Sequence, residues 1–223
     1  MKQTYYLFLL SLFVVYMFNG CSKKYEIVQK PITFDQERAQ LSLEYMKEHY
    51  GIEKDQPVID PKIIVIHWTV IPTADKTFDA FNPSILPSSR DGIRSAGNLN
   101  VSSQYMIDRD GTIYQLLPDT VFARHVIGLN YCAIGIENIA NGDDLPLTEA
   151  QFQANKKLVK QLISKYDIEY LIGHDQYKQF IGHPLWKELD SDYLTDKTDV
   201  GPEFIDRLHK ELGVPSLKKA PGL

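Results

Sequence analysis

The sequence predicts an α/β fold, a central mixed β-sheet flanked by helices in one domain, and three observations carry that reading. Short apolar runs at Lys62–His67, Ala133–Ile139 and Ile168–Ile172 are rich in β-branched residues, as strands covered on both faces are. Amphipathic helical patterns separate or flank those runs. Ser103–Asp108 and Thr112–Leu117 enclose Arg109-Asp110-Gly111, whose Asp-Gly pair is a hairpin signal and brings an antiparallel pair into the sheet.

In chain order, Met1-Lys2 leads into an apolar run from Tyr5 to Phe18 and then Asn19-Gly20-Cys21. One positive residue, an apolar stretch shorter than the about 20 residues of a membrane span, and a small residue before a cysteine read as a bacterial secretory signal over residues 1–20. Gly20-Cys21 resembles a lipobox, although Phe18 and Asn19 depart from its usual residues. That resemblance implies lipidation of Cys21 and an exported protein anchored to a membrane of the bacterial envelope, outer membrane or periplasmic face. Residues 21–30 form a polar tether, 31–213 the folded domain and 214–223 a C-terminal tail.

Within the domain, Phe34, Leu41, Tyr45 and Met46 give a helix over Phe34–Tyr50 that stops at Gly51. Residues 72–100 carry Pro72, Pro83, Pro87, Gly92 and Gly97 and read as a long irregular loop, a length that loops reach chiefly when functional or disordered. Thr148 and Gln151 form a capping-box pattern opening a helix through Tyr166, with Phe152, Leu158, Leu162 and Ile163 on its apolar side. Pro202 and Gly213 bracket a last helix over about residues 202–212. No internal repeat is evident.

Removing residues 1–20 takes one Lys from the 24 basic residues and leaves the 29 acids untouched, a net formal charge of −6. Scattered basic residues on an acidic chain argue against a nucleic-acid partner, which needs clustered cations to displace counterions. With Cys21 assigned to the lipid, Cys132 alone remains; it cannot form a disulfide within the chain and reads as a small buried residue. A monomer is expected.

The chemistry-bearing residues lie in Ile66-His67-Trp68-Thr69, Gly173-His174-Asp175 and Lys197-Thr198-Asp199. Two histidines and a carboxylate after apolar runs have the look of a hydrolytic zinc site, where three protein ligands leave a fourth position for water. Strand ends at His67, Glu137 and His174 can meet on one rim of a sheet. Taken singly, a histidine ending a buried strand is as often a core or capping residue, and the long spacing is unlike a compact motif.

These blocks, with Ser102-Ser103-Gln104-Tyr105, Asp110–Leu116, Arg124-His125, Ile134–Asn138 and Lys197–Pro202, resemble in order the N-acetylmuramoyl-L-alanine amidase type 2 family, over about residues 60–212. That family includes phage lysozyme-like amidases and animal peptidoglycan recognition proteins. The resemblance implies one zinc ion per chain, held by His67, His174 and Asp199, and cleavage of the amide between N-acetylmuramic acid and L-alanine in peptidoglycan or muropeptides. It further implies that Glu137 is the acid/base carboxylate and Lys197 the oxyanion stabiliser. Tyr105 would line the site and assist Lys197 through its hydroxyl. His125 would contact substrate or orient a ligand, and Trp68 would stack on sugar or peptide.

The chain departs from the family between the second histidine and the lysine, where residues 175–196 intervene. His183, Asp175, Asp190, Asp192 and Asp196 are rival third ligands there, although only Lys197–Pro202 reproduces the local pattern. The insertion, with the 72–100 loop, would wall the cleft. Two other classes stay open: a non-catalytic peptidoglycan-binding lipoprotein of the same fold, and a thiol hydrolase using Cys132 with His125.

Overall fold

The computed structural model describes residues 26–88 and 90–222. Cys21 and the predicted export signal lie outside the described residues. Six strands, β1 (Ile27–Gln29), β2 (Ile63–Trp68), β3 (Tyr105–Ile107), β4 (Ile113–Gln115), β5 (Ala133–Asn138) and β6 (Tyr170–Gly173), form one sheet in the order β1-β4-β3-β5-β2-β6. Only β3 and β4 are antiparallel, so the sheet is mixed as expected. The turn between them ends at Gly111, whose φ of 86° and 2.8 Å approach of the Ala150 carbonyl to any added Cβ leave room for glycine alone.

Among the described residues, four α-helices flank the sheet: α1 (Gln36–Tyr50), α2 (Ala74–Phe81), α3 (Glu149–Lys165) and α4 (Pro202–Leu212). Ile63, Ile64, Val65 and Ile66 of β2 have 0% exposure, each burial worth about 1.5–3 kcal/mol. The capping box opening α3 is present, with Thr148 Oγ1 accepting from the Gln151 amide and the Gln151 side chain from that of Thr148. Asn138 at the end of β5 exchanges side-chain hydrogen bonds with Asn155 of α3, the shorter 2.7 Å. Side chains alternate across a strand, so Glu137 points to the other face, away from α3.

Several expectations are corrected. Helix α1 begins at Gln36, capped by the Asp35 carboxylate, and Phe34 stands outside it, exposed. The 72–100 stretch is not irregular throughout. Thr73 caps α2, whose buried Ala74, Thr77 and Phe81 share one helical face, and a 3₁₀ turn covers Asp91–Ala96. Residues 27–29, assigned to the tether, pair with β4 as the edge strand β1, and Lys30 and Ile32 continue the ladder through their amides. Past α4 the chain folds back: Lys218 bridges to Tyr170 of β6, and Leu217 and Ala220 are buried. His174–Phe180, leading into the insertion, form a further 3₁₀ turn.

Candidate metal centre

The register of the sheet assembles the site. His67 pairs with Glu137 across β2 and β5, while Ile66 pairs with Gly173 of β6, so His174 emerges beside His67. All three lie at the carboxyl ends of parallel strands, the rim where open α/β sheets bind ligands. Asp199 arrives from the segment before α4, its carbonyl held by the Asp175 amide at 2.7 Å. His67, His174 and Asp199 are 2%, 7% and 6% exposed.

Three donor atoms converge there. His67 Nδ1 lies 2.9 Å from His174 Nδ1 and 3.4 Å from Asp199 Oδ2, and His174 Nδ1 lies 3.1 Å from the same oxygen. A tetrahedral ion with bonds of about 2.0–2.1 Å to nitrogen and oxygen has ligand–ligand edges of about 3.3–3.4 Å. The triangle therefore fits such an ion with little adjustment, and among the described residues this is the group of His, Cys and carboxylate side chains close enough to hold one. Of the rival ligands, Asp190, Asp192 and Asp196 are exposed outside the triangle, and His183 is turned to the Tyr170 hydroxyl and the Leu185 amide. Burial lowers the His174 pKa to about 4, assisted by His67, despite the opposing pull of Asp199. Burial raises the Asp199 carboxyl, but the His174 and His67 imidazoles beside it outweigh that and keep it well below the usual carboxylate range.

A cleft of about 320 Å³ opens over the triangle, lined also by Trp68, Val70, Arg90, His125, Glu137 and Lys197. Glu137 is buried, and its Oε2 has no hydrogen-bond partner. Burial pushes its pKa up to about 7; Asp199 adds to the rise, while His67, Lys197 and Arg90 oppose it. Lys197 is exposed at the rim. The set supplies a candidate cation site, a carboxyl poised to exchange protons near neutrality, and an exposed positive charge at the rim.

Residues 54–202 match the family described as N-acetylmuramoyl-L-alanine amidase, about two thirds of the chain. The chain belongs to that family. The 1,6-anhydro-N-acetylmuramyl-L-alanine amidase AmpD of Escherichia coli K12 is 30% identical over 169 residues, covering 70% of this chain and 83% of AmpD. AmpD of Citrobacter freundii is 30% identical over 185 residues, covering 77% and 89% of the two chains. Among solved structures, the amidase LysC from Clostridium intestinale URNW aligns with a TM-score of 0.50 at 20% identity, covering 85% of this chain and 98% of LysC. A peptidoglycan recognition protein-LE complex with tracheal cytotoxin aligns with a TM-score of 0.51 at 14% identity, covering 86% and 95%. Both show the shared fold.

Of the other residues that the sequence singled out in this amidase-family chain, His125 stands with Nδ1 3.0 Å from His67 Nε2, rings near perpendicular, and with Nε2 3.2 Å from the Ala133 carbonyl. Burial and the neighbouring His67 hold its pKa well below 6.5. Trp68 lines the cleft half-buried, its ring against Gly142. Cys132 is buried and its thiol is pushed up to about 12 by burial, unsuited to a nucleophile.

Tyr105 is the residue misplaced by sequence. It pairs with Ile136, one position off Glu137, so alternation turns its ring to the opposite face. Its hydroxyl donates to Asp119, which also accepts from Lys165 at 2.6 Å and Tyr166 at 2.9 Å. Tyr105 does not line the cleft and does not assist Lys197. Tyr105→Phe is accordingly expected to lower stability by about 1 kcal/mol in urea unfolding and to leave kcat/KM for muropeptide hydrolysis at the wild-type value. A fall in kcat would return the tyrosine to the site.

Sequence reasoning missed Arg90 and Val70 on the cleft wall. Val70 is 67% exposed at φ 58°, a left-handed conformation rare for a β-branched residue. No local pattern marks either one, because the folding of the 72–100 stretch brings Arg90 to the rim.

Proposed function

We propose that this chain is a zinc-dependent N-acetylmuramoyl-L-alanine amidase that hydrolyses the amide between N-acetylmuramic acid and L-alanine in peptidoglycan or released muropeptides. The observation that carries the proposal is the unpaired, buried carboxyl of Glu137 at the wall of a cleft whose floor is the His67–His174–Asp199 triangle. Family membership and the name of the AmpD relatives support the choice of bond. The proposal extends to export and lipid anchoring in the bacterial envelope through Cys21, supported by residues 1–21 alone.

A zinc ion held by His67, His174 and Asp199 would supply a lowered pKa for water and polarisation of the scissile carbonyl. Glu137 takes the proton of the attacking water and delivers it to the departing alanine nitrogen, a double task suited to a carboxyl titrating near 7. Lys197 places its ammonium against the oxyanion of the tetrahedral intermediate. Its exposure leaves the side chain free to follow that charge as it develops.

The test is mass spectrometry of muropeptides incubated with the detergent-solubilised protein, with chelator and with zinc added back. Release of L-Ala-containing peptides that stops with chelator and returns with zinc supports the proposal; tight binding without cleavage at any metal would move the chain to the recognition class. Lys197→Ala is expected to lower kcat roughly 10²–10³-fold with zinc content unchanged. Steady-state kinetics on one purified muropeptide checks that figure, and an unchanged kcat would remove the lysine from the reaction.

A further inference from the structure

The partners of His125 dictate where the protons of the His67 ring sit. A backbone carbonyl only accepts, so the 3.2 Å contact to Ala133 requires the hydrogen of a neutral His125 ring on Nε2. Its Nδ1 is then a lone pair, and the 3.0 Å contact to His67 requires a hydrogen on His67 Nε2. His67 Nδ1 is left as a bare lone pair turned into the triangle. The His174 contacts agree: the hydrogen of His174 Nδ1 is shared toward His67 Nδ1 at 2.9 Å and Asp199 Oδ2 at 3.1 Å, both acceptors.

We infer that His125 is a positioning residue, an anchored acceptor that holds His67 in the one tautomer and ring orientation able to bind a cation through Nδ1. It does so without touching substrate. Gly135 of β5 is part of the device, because a Cβ there would meet the His125 ring at 2.9 Å. The His125 amide is fixed as well, donating to the Asn130 side chain at 2.8 Å, so ring and backbone are both held. Partners of this kind around metal-ligating histidines typically carry a 10–100-fold effect on affinity. The inference rests on the zinc reading of the triangle and is independent of what the enzyme cleaves.

Two measurements on the full-length protein test it. Long-range ¹H–¹⁵N correlation of the histidine rings in metal-free protein, assigned with single-histidine replacements, is expected to show His67 protonated on Nε2; protonation on Nδ1 overturns the inference. Zinc affinity by competition with a chromophoric chelator is expected to fall roughly 10–100-fold in His125→Phe, which fills the space without an acceptor. His125→Asn, which keeps an acceptor in place of Nδ1, is expected to recover most of the loss. Gly135→Ala displaces the ring while retaining it and is expected to weaken zinc binding too, which covers the case in which His125→Phe does not fold. Unchanged zinc affinity with a raised KM in the His125 variants would overturn the inference in favour of a substrate contact. Wild-type protein that shows the Nε2–H tautomer but binds no zinc would remove the zinc reading, and the metal-positioning role with it, while the assignment of the His67 tautomer to His125 would stand.

Discussion

Glu137→Gln is expected to retain its zinc and lose hydrolysis, with kcat/KM down roughly 10²–10⁴-fold, the span that a positioned acid/base group contributes. Metal analysis together with muropeptide kinetics on the same sample checks both halves, and full activity would sink the mechanism. The pH dependence has a definite sign. In the proposed mechanism the carboxylate is the active form, so kcat/KM in the wild type is expected to fall as pH drops through the Glu137 pKa, about 7 in the metal-free protein and lower once a cation stands beside it. Stability runs the other way. A carboxyl whose folded pKa is raised from 4.5 to about 7 favours the fold at low pH, and that contribution is lost as pH rises through the folded value. Metal-free Glu137→Gln is therefore expected to be more stable than metal-free wild type at pH 8, by up to about 3 kcal/mol, with the difference closing toward pH 4.5. Equal melting temperatures at pH 8 would show that burial does not strain this carboxyl.

Asp199→Ala is expected to weaken zinc binding roughly a hundredfold or more, since removing one of three protein ligands forfeits a large share of the binding free energy. Activity is expected to vanish at zinc concentrations that saturate the wild type. Aspartates and histidines of the insertion serve as controls: Asp192→Asn and His183→Ala keep wild-type zinc affinity if the triangle is the site. Chelation of the wild type is expected to lower Tm and zinc add-back to restore it, with the midpoint rising with free zinc as linkage requires. Calorimetry that shows no zinc dependence of Tm, or zinc loss in His183→Ala, would relocate the ion.

Much of this was legible because the sheet is built from local signals. The runs at β2, β5 and β6 are apolar enough to demand burial on both faces, and each ends on a residue that burial alone would not place there: His67, Glu137 and His174. The capping box of α3 and the Pro202–Gly213 bracket of α4 are likewise local. What escaped depends on partners far along the chain. Strand β1 has three residues and exists because β4 offers it a free edge. Tyr105 lies in the matching block, yet the face it occupies is set by register with Ile136, which a one-residue slip would reverse. The insertion reads as loop because its anchors are remote: Glu188 meets His49 of α1 at 2.8 Å, Leu185 accepts from Tyr131, and Trp186 stacks on Tyr177. Those anchors hold the strap that delivers Lys197 and Asp199 to the cleft.

The edge strand β1 also sets the length of a leash. Pairing begins at Ile27, so five residues, 22–26, separate it from Cys21, and an extended chain of that length reaches at most ~20 Å. Were Cys21 lipidated as proposed, the folded unit would work within about its own width of the bilayer and could not patrol the wall at a distance. Such a reach would favour fragments that diffuse to the membrane over glycan strands held farther out, and lengthening the linker with Gly-Ser repeats would be a direct way to move that boundary.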